Sequence, residues 1–318
     1  MCEVNASTLT LRAPRGEDLH TVYEVIVADD RNELGKPDID ESDVSEWWAM
    51  PHFDKSRDAW ILEREGTAVG YGQTHDRNKT GRFDTDVWIS DEEDEDGYGA
   101  LLDAALQRAR ELLAETSADN SGELKRQACT WSVMGRERRA AWLEARGFSK
   151  VRRFYRMSIT VIDADPPELP GWLTLTPLGS SDEDARRGYQ AMMSTAFIGH
   201  WGHVPIDYDT WLARVTASPN LDWDTVWLAR VDGEPAAGLK MRIYEDVAFI
   251  DTVGTLKEFR GRGIAGLLLR TAFAEALRRG QPYVELGVDT ENDTGAVAVY
   301  EKAGMSVAFA HDEWSRAL

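Results

Sequence analysis

Arg260-Gly261-Arg262-Gly263-Ile264-Ala265 stands between an extended run, Val247 to Thr255, and a long amphipathic helix expected over about Gly263–Arg279. Glycines at a strand-to-helix turn let backbone N–H groups approach an anion closely, and the helix N-terminus adds a favourable dipole. Arg260 and Arg262 add charge-assisted donors of the fork geometry that suits a pyrophosphate. Read literally, Gly261, Gly263 and Gly266 also satisfy the dinucleotide fingerprint, with Glu285 after the next strand as a ribose ligand. Two features oppose a nicotinamide enzyme. Leu256-Lys257-Glu258-Phe259-Arg260 separates the strand from the first glycine, and the region upstream reads as hairpins rather than βαβ units.

Outward from this turn, the chain says most things twice. Leu9-Thr10-Leu11 is echoed by Leu173-Thr174-Leu175 as a first strand. Ile61 to Gly66 with Gly70 is echoed by Leu228 to Gly233 with Gly238, each a strand, a tight turn and a strand. Gly97-Tyr98-Gly99-Ala100-Leu101-Leu102 is echoed by Gly263-Ile264-Ala265-Gly266-Leu267-Leu268, both opening a helix. Leu143 to Phe148 is echoed by Tyr300 to Met305, a helix stopped by a C-cap glycine. A long helix between strands implies a parallel crossover and the hairpins imply antiparallel neighbours. The expectation is an α+β (α/β) chain of two tandem domains, each a mixed, mostly antiparallel sheet flanked by helices. The proline-rich segment 163–171 reads as a linker between residues 1–162 and 172–318.

Composition bounds what such a chain does. Its 318 residues suffice for two domains, and 42% hydrophobic with 29% charged residues is ordinary globular usage. No run is apolar enough to cross a bilayer, and Met1 to Asn5 carries no secretory pattern, so no membrane role and a cytoplasmic location are expected. Cys2 and Cys129 exclude a disulfide framework and argue against a zinc cluster; no metal is expected. A formal charge of −20 argues against nucleic acid and permits cationic or amine-bearing small substrates. A monomer or homodimer is expected.

Arg-x-x-Gly-x-Ala at Arg260–Ala265 resembles the acetyl-coenzyme A signature of the GNAT superfamily of N-acetyltransferases. The run Asn292 to Met305 is similar to the family's second signature. The resemblance implies that Arg260, Gly261, Arg262, Gly263, Ile264, Ala265 and Gly266 hold the cofactor pyrophosphate. It implies that main-chain groups of Val253, Gly254 and Thr255 hold the acetyl and pantetheine groups, with Asn292 nearby. Tyr300 stands where the family places the phenol that protonates the leaving thiolate, a task for a group that keeps its proton at neutral pH. The tandem arrangement resembles the mycothiol-synthase-like type of the family, which implies direct attack by a primary amine of a small molecule. An aminoglycoside-type amine, or a coenzyme A-binding regulatory protein without turnover, are the alternatives.

An amine acceptor also needs a proton acceptor, and Asp251 and Glu285 are the candidates. The loop Phe197 to Tyr208 places His200, Trp201 and His203 beside the acceptor cleft as candidate substrate contacts, and Trp314 is a fourth. In the first half the turn is inverted. Asp94-Glu95-Asp96 stands opposite Arg260-Gly261-Arg262, and Leu143 opposite Tyr300. Like charges about 4 Å apart cost roughly 1 kcal/mol each even in bulk water, so the N-terminal copy is expected to have lost cofactor binding.

Overall fold

The computed structural model describes residues 9–117, 125–179, 182–292 and 294–318. Cys2, the N-terminal pattern Met1 to Asn5 and Asp293 lie outside the described residues. In chain order the elements begin with β1 (Leu9–Arg12), α1 (Leu19–Leu34), α2 (Glu41–Trp48), α3 (Lys55–Asp58), β2 (Ala59–Arg64) and β3 (Thr67–His75). They continue with β4 (Arg82–Ile89), α4 (Glu95–Ser117), β5 (Gln127–Val133), α5 (Glu137–Ala145) and β6 (Ser149–Thr160). The second series is β7 (Leu173–Pro177), α6 (Glu183–Ala196), α7 (Tyr208–Ala217), β8 (Leu221–Val231), β9 (Glu234–Ile243) and β10 (Ala248–Thr255). It closes with α8 (Ile264–Arg278), β11 (Tyr283–Asp289), α9 (Ala296–Lys302) and β12 (Ser306–Ala317).

The repeat is visible at the level of single backbone angles. The hairpin β2–β3 turns on Glu65 and Gly66, with φ of 53° and 80°, and β8–β9 turns on Asp232 and Gly233, with φ of 50° and 89°. Two consecutive left-handed residues match the right-handed twist of the flanking strands. A register shift follows at the same place in each, between Leu62 and Glu63 and between Ala229 and Arg230. Among the described pairings, β4 with β5 and β10 with β11 run parallel, one in each copy, whereas β1–β2, β2–β3, β3–β4, β5–β12, β6–β11, β7–β8, β8–β9 and β9–β10 are antiparallel. Gly147 and Gly304 adopt positive φ just after α5 and α9, as helix-ending glycines should.

The chain forms two compact units whose limits differ from the chain-order division at 163–171. One comprises Met1–Arg152 with His311–Leu318, the other Arg153–Ala310. The first sheet is completed by His311–Ala317, paired antiparallel with β5, and the second by Phe154–Thr160, paired antiparallel with β11. Segment 163–170 itself has neither helix nor strand. Each sheet carries an apolar cluster on both faces. In the first unit Leu101, Leu102, Trp142 and Trp314 pack on one face and Val22, Ile26, Val44 and Trp88 on the other. In the second, Leu268, Ala272, Phe273 and Tyr300 cover one face and Tyr189, Met192 and Met193 the other.

Candidate active site

The second unit is opened by a strand that leaves its neighbour. The parallel ladder of β10 with β11 runs only from Ala248 to Ile250, against Val284 to Leu286. Asp251 occupies a bulge, and from Thr252 to Thr255 the register is with β9 alone. A bulge bends the strand and ends pairing on one side, so main-chain groups of Val253, Gly254 and Thr255 border a wedge between two parallel strands. Glycine at 254 answers a close approach: a Cβ there would lie 3.1 Å from Phe197 Cε2 and 3.2 Å from Met193 Cε.

Past Thr255 the chain makes one 3₁₀ turn, Lys257–Phe259, and enters the arginine–glycine loop. Arg260 Nε donates to the carbonyl of Thr255 at 3.0 Å, which fastens the loop to the end of β10. Gly261 and Gly263 have φ of 78° and 80°, a region that costs an L-residue roughly 1–2 kcal/mol. Gly263 is the N-cap of α8, and no side chain caps the helix. Its first-turn N–H groups therefore face the loop without a side-chain acceptor, the arrangement that receives phosphate. The Arg262 guanidinium lies 5.5 Å from the Phe259 ring centroid.

Around the wedge mouth several polar atoms are buried without a hydrogen-bond partner among the described residues: Nε2 of His200, Nε2 of His203 and Oγ1 of Thr255. Buried polar atoms are normally satisfied, so these mark a place where a polar ligand fits. His200 stacks at a tilt 4.7 Å from Phe197, and its Nδ1 is 3.5 Å from Asn292 Nδ2. Burial, then the Arg260 charge and His203, push His200 below the ordinary imidazole range; burial does the same to His203. The loop thus brings together His200, Asn292, Arg260 and, through Phe197, Gly254. Trp201 is exposed on the same loop. Asn292 caps no helix. Its Oδ1 accepts from Thr294 N at 3.0 Å, and α9 begins at Ala296 after a left-handed Gly295. Tyr300 is buried on α9, and burial pushes its phenol up to about 12.

Both sequence-designated carboxylates are engaged. Asp251 lies 2.8 Å from Arg242 Nη2 and 3.2 Å from Lys240 Nζ. Glu285 is 3% exposed and pairs with Arg156 at 3.5 Å, whose guanidinium also lies 4.7 Å from the Phe249 ring centroid. Tyr189 Oη is 3.3 Å from Thr252 Oγ1, next to the bulge. Lys240, Arg242, Arg156 and Tyr189 escaped the reading of the sequence. The alternation Lys240-Met241-Arg242 in a strand hairpinned to Asp251 was the available signal. Trp314 is a correction. It is buried in the first unit, donating from Nε1 to Ser132 Oγ at 2.8 Å, because the strand that carries it pairs with β5. Its neighbours Asp312 and Glu313 are held by Lys150 and Arg82 of that unit.

The first unit has the same wedge, differently filled. β4 pairs with β5 only from Arg82 to Asp84. By register Trp88 stands where the second unit has Gly254, and Ile89 where it has Thr255. The Trp88 indole is buried, 5.6 Å from Trp47 and 5.7 Å from Tyr71. The N–H of Ile89 donates to Asp29 Oδ1 at 3.0 Å, and Asp29 is 1% exposed and paired with Arg139. At the turn, Asp94 Oδ1 accepts from Gly97 N at 3.0 Å, and its other oxygen bridges to Arg64. A carboxylate of the chain itself accepts from an N–H in the first turn of α4.

Residues 188–305 match the acetyltransferase (GNAT) family model, and they fall wholly within the second unit. Acetyl-coenzyme A is the donor that GNAT acetyltransferases use. An 80-residue stretch is 35% identical to a mycothiol acetyltransferase of Corynebacterium aurimucosum, covering 24% of this chain and 26% of that protein. The match thus spans about a quarter of that relative's length. In fold, the chain resembles a GCN5-related N-acetyltransferase from Sphaerobacter thermophilus, with TM-score 0.80, 24% identity, 97% of this chain and 95% of that one. It also resembles a tandem GNAT protein of the clavulanic acid pathway, with TM-score 0.71, 15% identity and 98% of each chain. No described helix is long and apolar enough to cross a membrane, and no group of three candidate metal ligands occurs among the described residues.

Proposed function

We propose that the second unit transfers an acetyl group from acetyl-coenzyme A to a primary amine of a small molecule, and that the first unit does not bind the donor. The observation that carries this reading is the pairing of the wedge beyond Ile250 with an uncapped, left-handed glycine turn at the start of α8. The backbone N–H groups from Arg260 to Gly266, with the two guanidinium groups, would hold the pyrophosphate. Main-chain groups of Val253–Thr255 would hold the pantetheine arm, with Asn292 and His200 at its side. Bound acetyl-coenzyme A supplies an acetyl group activated as a thioester.

Tyr300 Oη keeps its proton throughout the neutral range because burial disfavours the phenolate, which equips it to donate to a leaving thiolate. Asp251, in the bulge, is the proton acceptor. Arg242 and Lys240 fix its position, and proton removal from the amine would run through water. Glu285, enclosed with Arg156, anchors the wall instead. The similarity to a mycothiol acetyltransferase supports an acceptor of that kind. Release of free thiol from acetyl-coenzyme A, followed over a panel of amines that includes aminoglycosides, tests the reading. Turnover with a small amine supports it. Saturable coenzyme A binding with no turnover for any amine would identify a regulatory protein, a reading to which the doubly paired Asp251 lends its one specific observation.

A further inference from the structure

The loop between α6 and α7 reaches both walls of the second unit's wedge through one residue. On the β10 side, Phe197 Cε2 stands 3.1 Å from where a Cβ at Gly254 would lie, and the His200 ring packs on Phe197 at 4.7 Å between centroids. On the other side, His200 Nδ1 meets Asn292 Nδ2 at 3.5 Å, just past the end of β11.

The hydrogen bonds around the ring fix where it carries its proton. Asn292 Oδ1 accepts from Thr294 N at 3.0 Å, so the atom that Asn292 turns toward His200 is its amide nitrogen, a hydrogen-bond donor. His200 Nδ1 must therefore accept, and a neutral imidazole with a bare Nδ1 carries its hydrogen on Nε2. The ring is held neutral. Burial, then the Arg260 charge and His203, lower its proton affinity, with Asp289 acting the other way. What remains is an Nε2–H group shielded from solvent and without a partner among the described residues. A buried N–H without an acceptor is destabilising, and a ligand oxygen placed against it relieves the loss. Thr255 Oγ1, at the end of β10, is shielded and unpartnered in the same way.

Given a second unit that binds acetyl-coenzyme A, we propose that His200 Nε2–H donates a hydrogen bond to an amide carbonyl of the pantetheine arm, and that Asn292 is the positioning residue that sets this tautomer. Asn292 then acts on the cofactor through His200. A carbonyl suits the ring better than a phosphate does. Burial and Arg260 keep the imidazole uncharged, whereas a phosphate oxygen draws a cationic partner. The pyrophosphate has Arg260, Arg262 and the uncapped first turn of α8 to meet it. Packing on Phe197 also sets the ring beside Gly254, whose main chain borders the wedge.

The test uses the whole chain with coenzyme A, pantetheine and ADP; the last two carry the amide carbonyls and the phosphates separately. In the free chain, nitrogen-15 spectra of the His200 ring should show hydrogen on Nε2 and a bare Nδ1. Saturating coenzyme A or pantetheine should move the Nε2–H resonance, and ADP should leave it in place. His200→Phe keeps an aromatic ring against Phe197 and removes the N–H. Coenzyme A and pantetheine should then bind about tenfold more weakly, with ADP binding as in the parent. Asn292→Asp keeps an acceptor for Thr294 N but draws the ring hydrogen to Nδ1. Above the pH at which the ring titrates, it should weaken coenzyme A about as much as His200→Phe does. In the double variant it should add no further loss, an outcome that neither a purely structural Asn292 nor one touching the cofactor itself would give.

If His200→Phe does not fold, the spectra of the parent chain decide. Three results would overturn the assignment while leaving the unit a coenzyme A binder: a free ring with its hydrogen on Nδ1, an Nε2–H resonance that coenzyme A leaves in place or ADP moves alike, or coenzyme A affinity unchanged by His200→Phe. A parent chain that binds none of the three probes overturns the acetyl-coenzyme A reading itself, and this assignment with it.

Discussion

Thr255–Gly266 and Ile89–Ala100 hold the same place in two copies of one fold, and each solves the problem of an open helix N-terminus differently. In the second unit two left-handed glycines and two arginines leave the first turn of α8 without a side-chain cap. In the first, Glu95 and Asp96 already belong to the helix, and Asp94 accepts from Gly97 N. The difference extends into the wedge, where Asp29 takes the N–H of Ile89 and Trp88 replaces a glycine. If the second unit holds the donor as proposed, the first supplies its own carboxylates and indole at the matching positions of the same kind of sheet.

The largest way to sharpen that contrast is at Tyr300. Tyr300→Phe removes only a hydroxyl from a buried ring that Leu143 already replaces in the other copy. Turnover should fall by roughly 10²–10⁴-fold with coenzyme A affinity kept, measured by single-turnover kinetics beside equilibrium binding. Unchanged turnover would remove Tyr300 as the acid. Next comes transplanting the acidic turn, Arg260→Asp with Gly261→Glu and Arg262→Asp. Acetyl-coenzyme A affinity should drop by about 100-fold or more, since several like-charge contacts of roughly 1 kcal/mol each accumulate. Affinity within a few-fold of the parent would break the electrostatic account.

A smaller effect is expected at Gly254→Ala. The new methyl meets Phe197 and Met193 at 3.1–3.2 Å, so the melting temperature should fall by several degrees for an overpacking cost of about 1–3 kcal/mol. An unchanged melting temperature would mean that α6 yields freely. The smallest effect is in acid. His200 and His203 are held below their unfolded value, so the fold favours their neutral forms. The stability they contribute is present above about pH 6.5 and is lost as pH falls through the depressed folded values. His200→Gln should flatten the acid side of a melting-temperature profile slightly, and an identical profile would refute the burial of that ring.

Much of this was legible in the primary structure because it is local. The paired hairpin glycines, the C-cap glycines and the arginine–glycine turn each declare a backbone conformation that few residues adopt. Trp314 was misplaced for the opposite reason. Which sheet a strand completes depends on partners far away in sequence, and alternation in His311–Ala317 is equally compatible with either. The partners of Asp251 depend on register across β9–β10, which a bulge shifts. The plug of Asp29 and Arg139 joins residues more than a hundred positions apart, with no pattern in either neighbourhood to announce it.

The central claim is that one copy of two binds the donor. Calorimetric titration of the intact chain with acetyl-coenzyme A tests it most directly. One equivalent per chain, abolished by Arg260→Glu and indifferent to Asp94→Asn, is the expected result. Two equivalents, or one that survives Arg260→Glu, would contradict it.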